Sequence, residues 1–364
     1  MSELSIALLT YSTKPRGSVV HALSLAEALA QAGQRVTVWA LGRGGDDAFF
    51  RPVDSLVEVR IVPFPDIAGE AVGPRIVRSI QVMAKAFDPA GYDVVHAQDC
   101  ISANAADRCV RTVHHLDHFT TPELAACHER AIVAPHAHIC VSAAVAGELL
   151  DGWGITATVI PNGVDAQRFS HAAGPAGAVV RATWRSRLDC YVLTVGGIEP
   201  RKGSLELLEA YALLHANLPD VRLVIAGGET LFDYRNYRAR WELRATQLGI
   251  EPVVLGPVDH DTMPALVAAA GVFAFPSTKE GFGLAAMEAL AAEVPLVMSN
   301  LPVLREIFTG TARFADGTVE LAAQLNAALT EPATGAQEAG RLLAARHTWS
   351  AAAQRHLDLY QRFG

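Results

Sequence analysis

Two glutamates in the stretch Pro276–Glu288 are spaced as ligand-binding groups on either side of a turn. Glu280 lies beside the glycine-containing segment Gly281-Phe282-Gly283, and Glu288 lies about one turn into the alanine-rich run 284–292. Carboxylates accept hydrogen bonds from hydroxyl groups. Glycines let a ligand approach the backbone, and a helix start offers unpaired N–H groups that suit a phosphate. The pattern predicts a site for a phosphate with hydroxyl groups on both sides.

The elements around this segment are predicted to present it at the edge of a parallel sheet. The apolar run Gly271–Phe275 is typical of a buried parallel strand, and the composition of residues 284–292 strongly favours a helix. A strand, a glycine loop and a helix start in this order favour a nucleotide sugar as the ligand. The alternative interpretation is an ordinary surface helix with two solvated glutamates.

The pattern E-x7-E within P-S-x-x-E-G-F-G-L resembles the retaining glycosyltransferases of family 4, which have the GT-B fold. The resemblance runs from the first strand to the last helix. It implies that Glu280 holds hydroxyl groups of the transferred sugar and that Glu288 holds the ribose diol. It also implies donor contacts from the residues between them, Gly281, Phe282, Gly283 and Leu284.

A second loop, Gly196–Gly203, follows the predicted strand Cys190–Val195. The resemblance implies that a lysine and an arginine here grip the donor diphosphate. Lys202 matches that lysine, but Gly197 stands where the family has its arginine. Arg201 is the nearest replacement, and its side chain is expected to point away from that of Lys202.

The chain begins with a predicted strand, loop, helix and strand, which is a βαβ unit of a parallel sheet. The loop 11–18 contains Arg16 and Gly17. In the family this loop holds a Gly-Gly pair that touches the donor phosphate or the acceptor, and here Gly17 alone remains. We expect Gly17 to contact the donor and Arg16 to contact the acceptor.

Two further predicted strands end in polar residues, at His96–Asp99 and at His114. Such ends lie at the carboxyl edge of an open α/β sheet, where ligands bind. The resemblance places His114 against the reacting sugar, and we expect His96, Asp99 and His114 to contact the acceptor. The histidines also permit a metal site. The favoured interpretation is that His115 and His118 are ordinary loop histidines that bind no metal.

The segment Gly73–Phe87 is predicted to be an amphipathic helix with a basic face. In membrane-associated relatives such a helix meets lipid. The favoured interpretation is that its apolar face covers the sheet and its basic face is solvated, so peripheral membrane contact is possible but not favoured.

Composition limits the class of protein. The chain has 364 residues, 51% of them hydrophobic, with 30 basic and 38 acidic side chains. The acidic balance argues against a nucleic-acid partner. Five cysteines without metal-ligand spacing indicate thiols in a reducing cytoplasm. No signal peptide or membrane-spanning run is recognised.

The predicted fold is α/β, with two Rossmann-like domains that face each other across a cleft, as the resemblance to GT-B enzymes implies. Residues 1–168 are predicted to bind the acceptor and residues 169–345 the donor, with residues 346–364 forming a helix that returns to the first domain. The stretch Phe169–Arg187 is predicted to be a linker.

The predicted reaction moves a hexosyl group from a UDP, GDP or ADP sugar to an unidentified acceptor, with retention of configuration and without a metal or cofactor. The catalytic residues are expected to be His114, Lys202 and Glu280. Two alternatives remain open. One is a phosphorylase or sugar-nucleotide epimerase of the same fold, and the other is a non-catalytic nucleotide-sugar binder.

Overall fold

A computed structural model describes residues 3–117, 119, 121–228, 234–331 and 335–362. The chain forms two compact units. The first comprises Met1–Gly163 and His347–Gly364, and the second comprises Val164–Arg346.

Parallel pairing organises the sheet of the first unit. Among the described residues it has seven strands in the order β3-β2-β1-β4-β5-β6-β7. They are β1 (Ser5–Thr10), β2 (Arg35–Arg43), β3 (Val57–Phe64), β4 (Val94–Ala97), β5 (Val110–Val113), β6 (Ala137–Cys140) and β7 (Thr158–Val159). The strand order reverses between β1 and β4, so the loops that leave these two strands diverge and open a crevice at the carboxyl edge of the sheet.

The connections of the first unit carry α1 (Gly17–Gln31), α2 (Val72–Ala86), α3 (Cys100–Ala105), α4 (Pro122–Val133) and α5 (Ala143–Trp153). On α2, Ile76 and Met83 are buried, as is Phe87 directly after it, which confirms that the apolar face of this helix covers the protein interior. The basic face is not simply solvated, because Glu70 pairs with Arg78 through contacts of 2.7 and 2.6 Å.

The second unit has its own parallel sheet, with the described strands in the order β10-β9-β8-β11-β12-β13. They are β8 (Cys190–Val195), β9 (Val221–Ala226), β10 (Val253–Gly256), β11 (Val272–Phe275), β12 (Leu296–Ser299) and β13 (Arg313–Ala315). Here the order reverses between β8 and β11. The two loops singled out by the sequence follow these two strands, so they meet at the switch point of the sheet.

The described helices of the second unit are α6 (Ala166–Ala173), α7 (Ala178–Leu188), α8 (Ser204–Asn217), α9 (Arg235–Leu248), α10 (Met263–Ala269), α11 (Leu284–Ala291), α12 (Pro302–Phe308), α13 (Gly317–Thr330) and α14 (Ala336–Arg346). The linker predicted over 169–187 is therefore wrong, because this stretch belongs to α6, a 3₁₀ turn and α7. Arg181 donates hydrogen bonds to the carbonyls of Ala172 and Gly174 at the end of α6, which fixes the turn between the two helices.

The chain passes into the second unit earlier than the predicted boundary at residue 168. Phe169 of α6 is 1% exposed, and α6 packs against α10 and α11. The whole of α6 therefore belongs to the second unit, which starts at Val164.

A last helix, α15 (Trp349–Tyr360), packs on α1 in the first unit. The helix predicted over residues 346–364 begins later than expected, because α14 continues to Arg346 and the chain restarts where the hydroxyl of Thr348 accepts from the amide of Ala351 at 3.1 Å. Leu357 and Tyr360 of α15 join Leu23 and Leu29 of α1 in the core. Each such side chain contributes about 1.5–3 kcal/mol when it is fully buried.

Among the described residues, no helix is both long enough and apolar enough to span a bilayer.

Candidate functional site

In the second unit, the loops after β8 and β11 are fastened to each other through their backbones. The amide of Thr278 donates to the carbonyl of Arg201 at 2.9 Å. Gly203 has φ +62°, and a Cβ at this position would lie 2.0 Å from the carbonyl oxygen of Pro276. Only glycine permits this approach, which holds the two loops together directly in front of α8.

Two basic side chains converge on Glu280 in this place. Nζ of Lys202 lies 3.0 Å from Oε2 of Glu280, and Nη1 of Arg201 lies 3.7 Å from the same oxygen. Arg201 also donates to Glu199 at 3.2 Å. The expectation that Arg201 points away from Lys202 is therefore wrong. The 3₁₀ turn Pro200–Lys202 separates the two side chains by about a third of a turn, and Glu280 approaches between them.

Lys202 is held at its stem as well as at its charged end. Its ammonium group lies 5.1 Å from the centre of the Phe275 ring, and its methylene groups would lie 3.6–3.7 Å from a Cβ on Gly196. The position of the absent family arginine, Gly197, lines a small cavity beside Lys202. The positive charge at this position thus comes from the side chains of Arg201 and Lys202, and a cavity remains beside Gly197.

The glycine segment after β11 turns the backbone into α11. Gly283 has φ +97° and ψ +53° and precedes the first residue of the helix, and its carbonyl accepts from the amide of Met287. Phe282 is 2% exposed, so its ring packs inside the unit, whereas Gly281 and Leu284 sit at the turn itself. Because the ring is buried, we expect the predicted donor contact of Phe282 to come from its backbone atoms. The first amides of α11 have no partner within the helix, which suits an anion.

Glu288 lies one turn into α11 and is half-buried. Burial raises the pKa of its carboxyl group to about 7, partly offset by the positive charge of Arg168 and reinforced by Asp165. Within the described part of the chain, no hydrogen bond to this carboxyl group is present. A desolvated carboxyl group with a shifted pKa is typical of a functional position.

In the first unit, His114 follows β5 and Gln98 follows β4. Nε2 of His114 lies 3.3 Å from Oε1 of Gln98, and the ring of His21 on α1 meets that of His114 edge-on at 4.8 Å. Because Oε1 of an amide only accepts hydrogen bonds, this contact requires a proton on Nε2 of His114. Gln98, which is 1% exposed, thereby sets the ring orientation of the predicted catalytic histidine.

The prediction that His96 contacts the acceptor is not supported by its surroundings. The side chain is fully buried, with Nδ1 2.7 Å from the hydroxyl of Tyr360 and Nε2 2.7 Å from that of Thr112. Burial holds the pKa of His96 well below its usual value, with His356 and His114 adding to the effect. His96 links β4 to β5 and to α15.

Asp99 likewise has a structural position in place of the predicted acceptor contact. One carboxylate oxygen accepts from the amide of Tyr11 at 2.9 Å, and the other accepts from the amide of Ser102 at 2.8 Å. The residue caps α3 and fastens it to the end of β1. Burial raises the pKa of Asp99, and these hydrogen bonds oppose that shift.

Arg16 and Gly17 stand at the start of α1. Arg16 is the residue before the first turn and makes no side-chain cap, and Gly17 is exposed with open space at its missing Cβ. The neighbouring loop is held by Asp46, which accepts hydrogen bonds from Thr13 and Lys14. The contacts of Arg16 and Gly17 with ligands remain predictions.

Sequence reasoning missed three residues of the first-unit cluster. Oε1 of Gln98 contacts His114, Oδ1 of Asn162 accepts from Nδ1 of His21 at 2.9 Å, and the hydroxyl of Tyr360 contacts Nδ1 of His96. Asn162 lies in the turn Pro161-Asn162-Gly163, and Gln98 lies directly before Asp99. Polar residues that follow strands of a parallel sheet are candidates for a site, so Gln98 and Asn162 could have been found from the sequence. Nothing in the sequence around Tyr360 indicates its contact with His96.

The histidine loop after β5 does not assemble a metal centre within the described residues, where no group of three or more His, Cys, Asp or Glu side chains is placed to hold an ion. His115 pairs with Asp117 at 3.2 Å. His118 lies outside the described residues.

Comparisons with known proteins agree with this architecture. The family model described as glycosyl transferases group 1 matches residues 187–340, and that of glycosyltransferase family 4 matches residues 15–168. A phosphatidyl-myo-inositol mannosyltransferase of Propionibacterium freudenreichii subsp. shermanii is 26% identical over 95% of this chain and 91% of its own length. A glycogen synthase of Mycobacterium tuberculosis is 33% identical over 56% of this chain and 48% of its own length.

Solved structures share the fold across the whole chain. Sucrose-phosphate synthase from Thermosynechococcus elongatus has a TM-score of 0.80 at 21% identity and covers 99% of both chains. Anabaena HepE in complex with UDP and glucose has a TM-score of 0.77 at 20% identity, covering 99% of this chain and 100% of its own. These matches, with two family models that together span most of the sequence, show that the chain belongs to glycosyltransferase family 4 and has the two Rossmann-like units of the GT-B fold.

Proposed function

We propose that this glycosyltransferase takes a hexosyl group from a nucleotide-diphosphate sugar and transfers it with retention of configuration. The observation that carries the proposal is the convergence of Lys202 and Arg201 on Glu280, beside the glycine turn that opens α11. This arrangement puts two cations, helix amides and a carboxylate within one switch point, and these are the groups that a diphosphate and a sugar need.

The leaving diphosphate gains negative charge as its bond to the anomeric carbon breaks. Donors that are already in place stabilise such charge most effectively, and charge-assisted hydrogen bonds are about twice as strong as neutral ones. In the proposed complex Lys202 and Arg201 donate hydrogen bonds to the diphosphate and interact less with Glu280. Glu280 then accepts hydrogen bonds from sugar hydroxyls, and Glu288 accepts them from the ribose diol.

Retention is proposed from the resemblance to the family-4 enzymes, and the residue types around the site favour one of the two routes to it. A double displacement needs an enzyme carboxylate directly behind the anomeric carbon, and the sequence offers no motif that supplies one. We therefore favour front-face attack, in which the acceptor hydroxyl enters on the side from which the diphosphate leaves. His114, oriented by Gln98, is the proposed polar contact of the reacting sugar.

We propose further that transfer needs no metal ion, because Lys202, Arg201 and the amides of α11 supply the positive charge that a divalent ion would otherwise provide. The name of the relative from Propionibacterium, a mannosyltransferase matched over most of its length, favours mannose as the sugar. The cytoplasm is the proposed compartment, in keeping with five free cysteines.

The test has two stages. Thermal-shift measurements with UDP, GDP, ADP and their hexose derivatives identify the donor, because a ligand that binds the folded state raises apparent stability. NMR of the product, or of the sugar released when no acceptor is added, then assigns the anomeric configuration. Binding without turnover would support a non-catalytic binder, and an inverted product would contradict the proposed mechanism.

A further inference from the structure

A chain of polar side chains runs through the core of the first unit from α15 to His114. The hydroxyl oxygen of Tyr360 lies 2.7 Å from Nδ1 of His96, and the amide nitrogen of Gln98 lies 3.3 Å from Nε2 of the same ring. The amide oxygen of Gln98 lies 3.3 Å from Nε2 of His114. Tyr360, His96 and Gln98 are all buried, so bulk water does not reach the three inner members of this chain.

The donors and acceptors of the chain follow one order. The amide nitrogen of Gln98 only donates, so Nε2 of His96 is an acceptor. The ring of His96 is neutral, because burial holds its pKa well below the usual value. Its proton is therefore on Nδ1, which donates to the hydroxyl oxygen of Tyr360. The amide oxygen of Gln98 only accepts, so His114 carries a proton on Nε2. Gln98 thus ties the tautomer of one histidine to that of the other.

Two neighbouring histidines show that the core tolerates a bare ring nitrogen. Nδ1 of His356 lies 2.7 Å from the carbonyl oxygen of Ala352, and Nδ1 of His21 lies 2.9 Å from Oδ1 of Asn162. Both oxygens only accept, so both Nδ1 atoms carry a proton. Burial lowers the pKa of both rings, which leaves each Nε2 without a proton. Within the described part of the chain, these two Nε2 atoms are buried without a hydrogen-bond partner.

We propose that Tyr360 is a positioning residue for His114 and acts on it through His96 and Gln98. The hydroxyl of Tyr360 accepts from Nδ1 of His96 and thereby keeps Nε2 of His96 as the acceptor for the Gln98 nitrogen. The Gln98 oxygen is then the atom that faces His114. The inference rests on the proposed function, since His114 is the residue assigned there to the reacting sugar.

Removal of this one hydroxyl is expected to reverse the chain. Without it, Nδ1–H of His96 is a buried donor that has lost its acceptor, which is unfavourable. A proton on Nε2 relieves this, because the hydroxyl of Thr112, 2.7 Å away, can accept from it. The Nε2–H of His96 then opposes the N–H of Gln98, so the amide group rotates and presents its nitrogen to His114. Nε2 of His114 becomes an acceptor, and the proton of the neutral ring moves to Nδ1.

Tyr360→Phe tests this reversal, because it removes the hydroxyl and keeps the ring that belongs to the core. NMR of ¹⁵N-labelled histidine in the protein without ligand distinguishes a ring nitrogen that carries a proton from a bare one. His96→Gln and His114→Gln assign the two rings. We expect protons on Nδ1 of His96 and Nε2 of His114 in the wild type, and on Nε2 of His96 and Nδ1 of His114 in Tyr360→Phe. Unchanged tautomers in Tyr360→Phe overturn the proposal.

Kinetics measure the consequence for the reaction. We expect kcat of Tyr360→Phe to fall about tenfold, which corresponds to about 1.4 kcal/mol, with the affinity for free UDP, GDP or ADP unchanged. Release of sugar from the UDP, GDP or ADP hexose that raises Tm most is the assay. Tyr211→Phe is the matched control, because it removes a buried tyrosine hydroxyl that donates to the carbonyl of Val221 at 3.0 Å in the second unit. An equal loss of kcat in Tyr211→Phe overturns the proposal.

Gln98→Glu separates positioning from a structural role of Tyr360. A carboxylate accepts from both rings, so it keeps Nε2–H on His114 whichever nitrogen of His96 carries the proton. We therefore expect Tyr360→Phe to lower kcat in the wild-type background and to leave it unchanged in the Gln98→Glu background. An equal loss in both backgrounds shows a structural effect and overturns the proposal. Circular dichroism and Tm verify folding of each variant.

His114→Ala distinguishes failure of this inference from failure of the proposed function. If His114→Ala turns over at the wild-type rate, the assignment of His114 to the reacting sugar is wrong, whatever tautomers the NMR spectra show. If His114→Ala is slow and Tyr360→Phe is as fast as the wild type, the proposed function stands and the positioning role of Tyr360 is overturned.

Discussion

The ammonium nitrogen of Lys202 lies 3.0 Å from Oε2 of Glu280, although 78 residues separate them in the chain. The contact joins the loop after β8 to the loop after β11 at the switch point of the second sheet. Arg201 reaches the same oxygen at a longer distance, 3.7 Å. We therefore expect Lys202, the nearer cation, to be the stronger partner of a bound diphosphate.

Lys202→Ala is expected to lower kcat by more than it raises KM for the donor, because its interaction strengthens as charge develops on the leaving group. Arg201→Ala is expected to have a smaller effect of the same kind, since Arg201 is shared with Glu199. Steady-state kinetics on both variants test this order, with Lys279→Ala as a control from the neighbouring loop. A larger loss in Arg201→Ala would make Arg201 the main clamp.

Turnover is expected to continue in excess EDTA, because side-chain cations and helix amides provide the positive charge at the diphosphate. Initial rates measured before and after chelation, with and without added Mg²⁺ or Mn²⁺, test this expectation. Loss of activity on chelation and its return with either ion would show that the assignment of the leaving-group contacts is wrong.

Glu288→Ala is expected to weaken binding of the free nucleotide by about 1–3 kcal/mol, the usual penalty for leaving polar partners unpaired. Calorimetry with the nucleotide found in the thermal-shift screen measures the change. Glu251→Ala, an exposed glutamate of the same unit, serves as the control. Equal affinity of Glu288→Ala and the wild type would remove Glu288 from the nucleotide site.

Glu288 also makes stability depend on pH. Its pKa in the folded protein, about 7, lies above the ordinary value of 4.5, so the folded state holds this proton more tightly than the unfolded state. The resulting stabilisation is present below pH 4.5 and is lost as pH rises through about 7. Relative to the wild type, Glu288→Gln is expected to gain about 2 kcal/mol between pH 5 and pH 8. Urea unfolding at several pH values measures this gain, and a pH-independent difference between the two proteins would contradict it.

Gln98→Ala is expected to lower kcat while leaving nucleotide affinity unchanged, because it releases the ring of His114 in the first unit and leaves the clamp of the second unit intact. Parallel kinetics and calorimetry make the comparison. Gln98→Glu, which keeps an acceptor for Nε2–H, is expected to retain more activity than Gln98→Ala. Reduced nucleotide affinity in Gln98→Ala would argue against a role limited to His114.

The parallel sheets and the loops after β8 and β11 were predictable because each is encoded within a short stretch of sequence. Apolar runs marked the strands, and glycines marked the turns where the backbone must bend sharply. The direction of Arg201 was not predictable in this way. The direction of the Arg201 side chain depends on Glu280, which is distant in the sequence. A 3₁₀ turn alone would separate the side chains of Arg201 and Lys202, and Glu280 lies between them.

The role of His96 was hidden for the same reason. A histidine at the end of a strand resembles a ligand-binding residue, and only the partners Thr112 and Tyr360 reveal that its nitrogens are already occupied. The helices within 169–187 were missed because alanine, glycine and proline in a short tight turn have the same composition as a linker.

The bond between His96 and Tyr360 spans 264 residues, and this separation imposes an order on folding. Strands β1 and β4 are synthesised early, but the helix that satisfies Nδ1 of His96 and covers α1 follows the whole second unit. Pairings within the second sheet close much shorter loops, and shorter loops lose less chain entropy on closure. During synthesis the apolar surface of α1 therefore cannot be covered by α15 until the second unit has been made, so the unit that begins first is the one completed last.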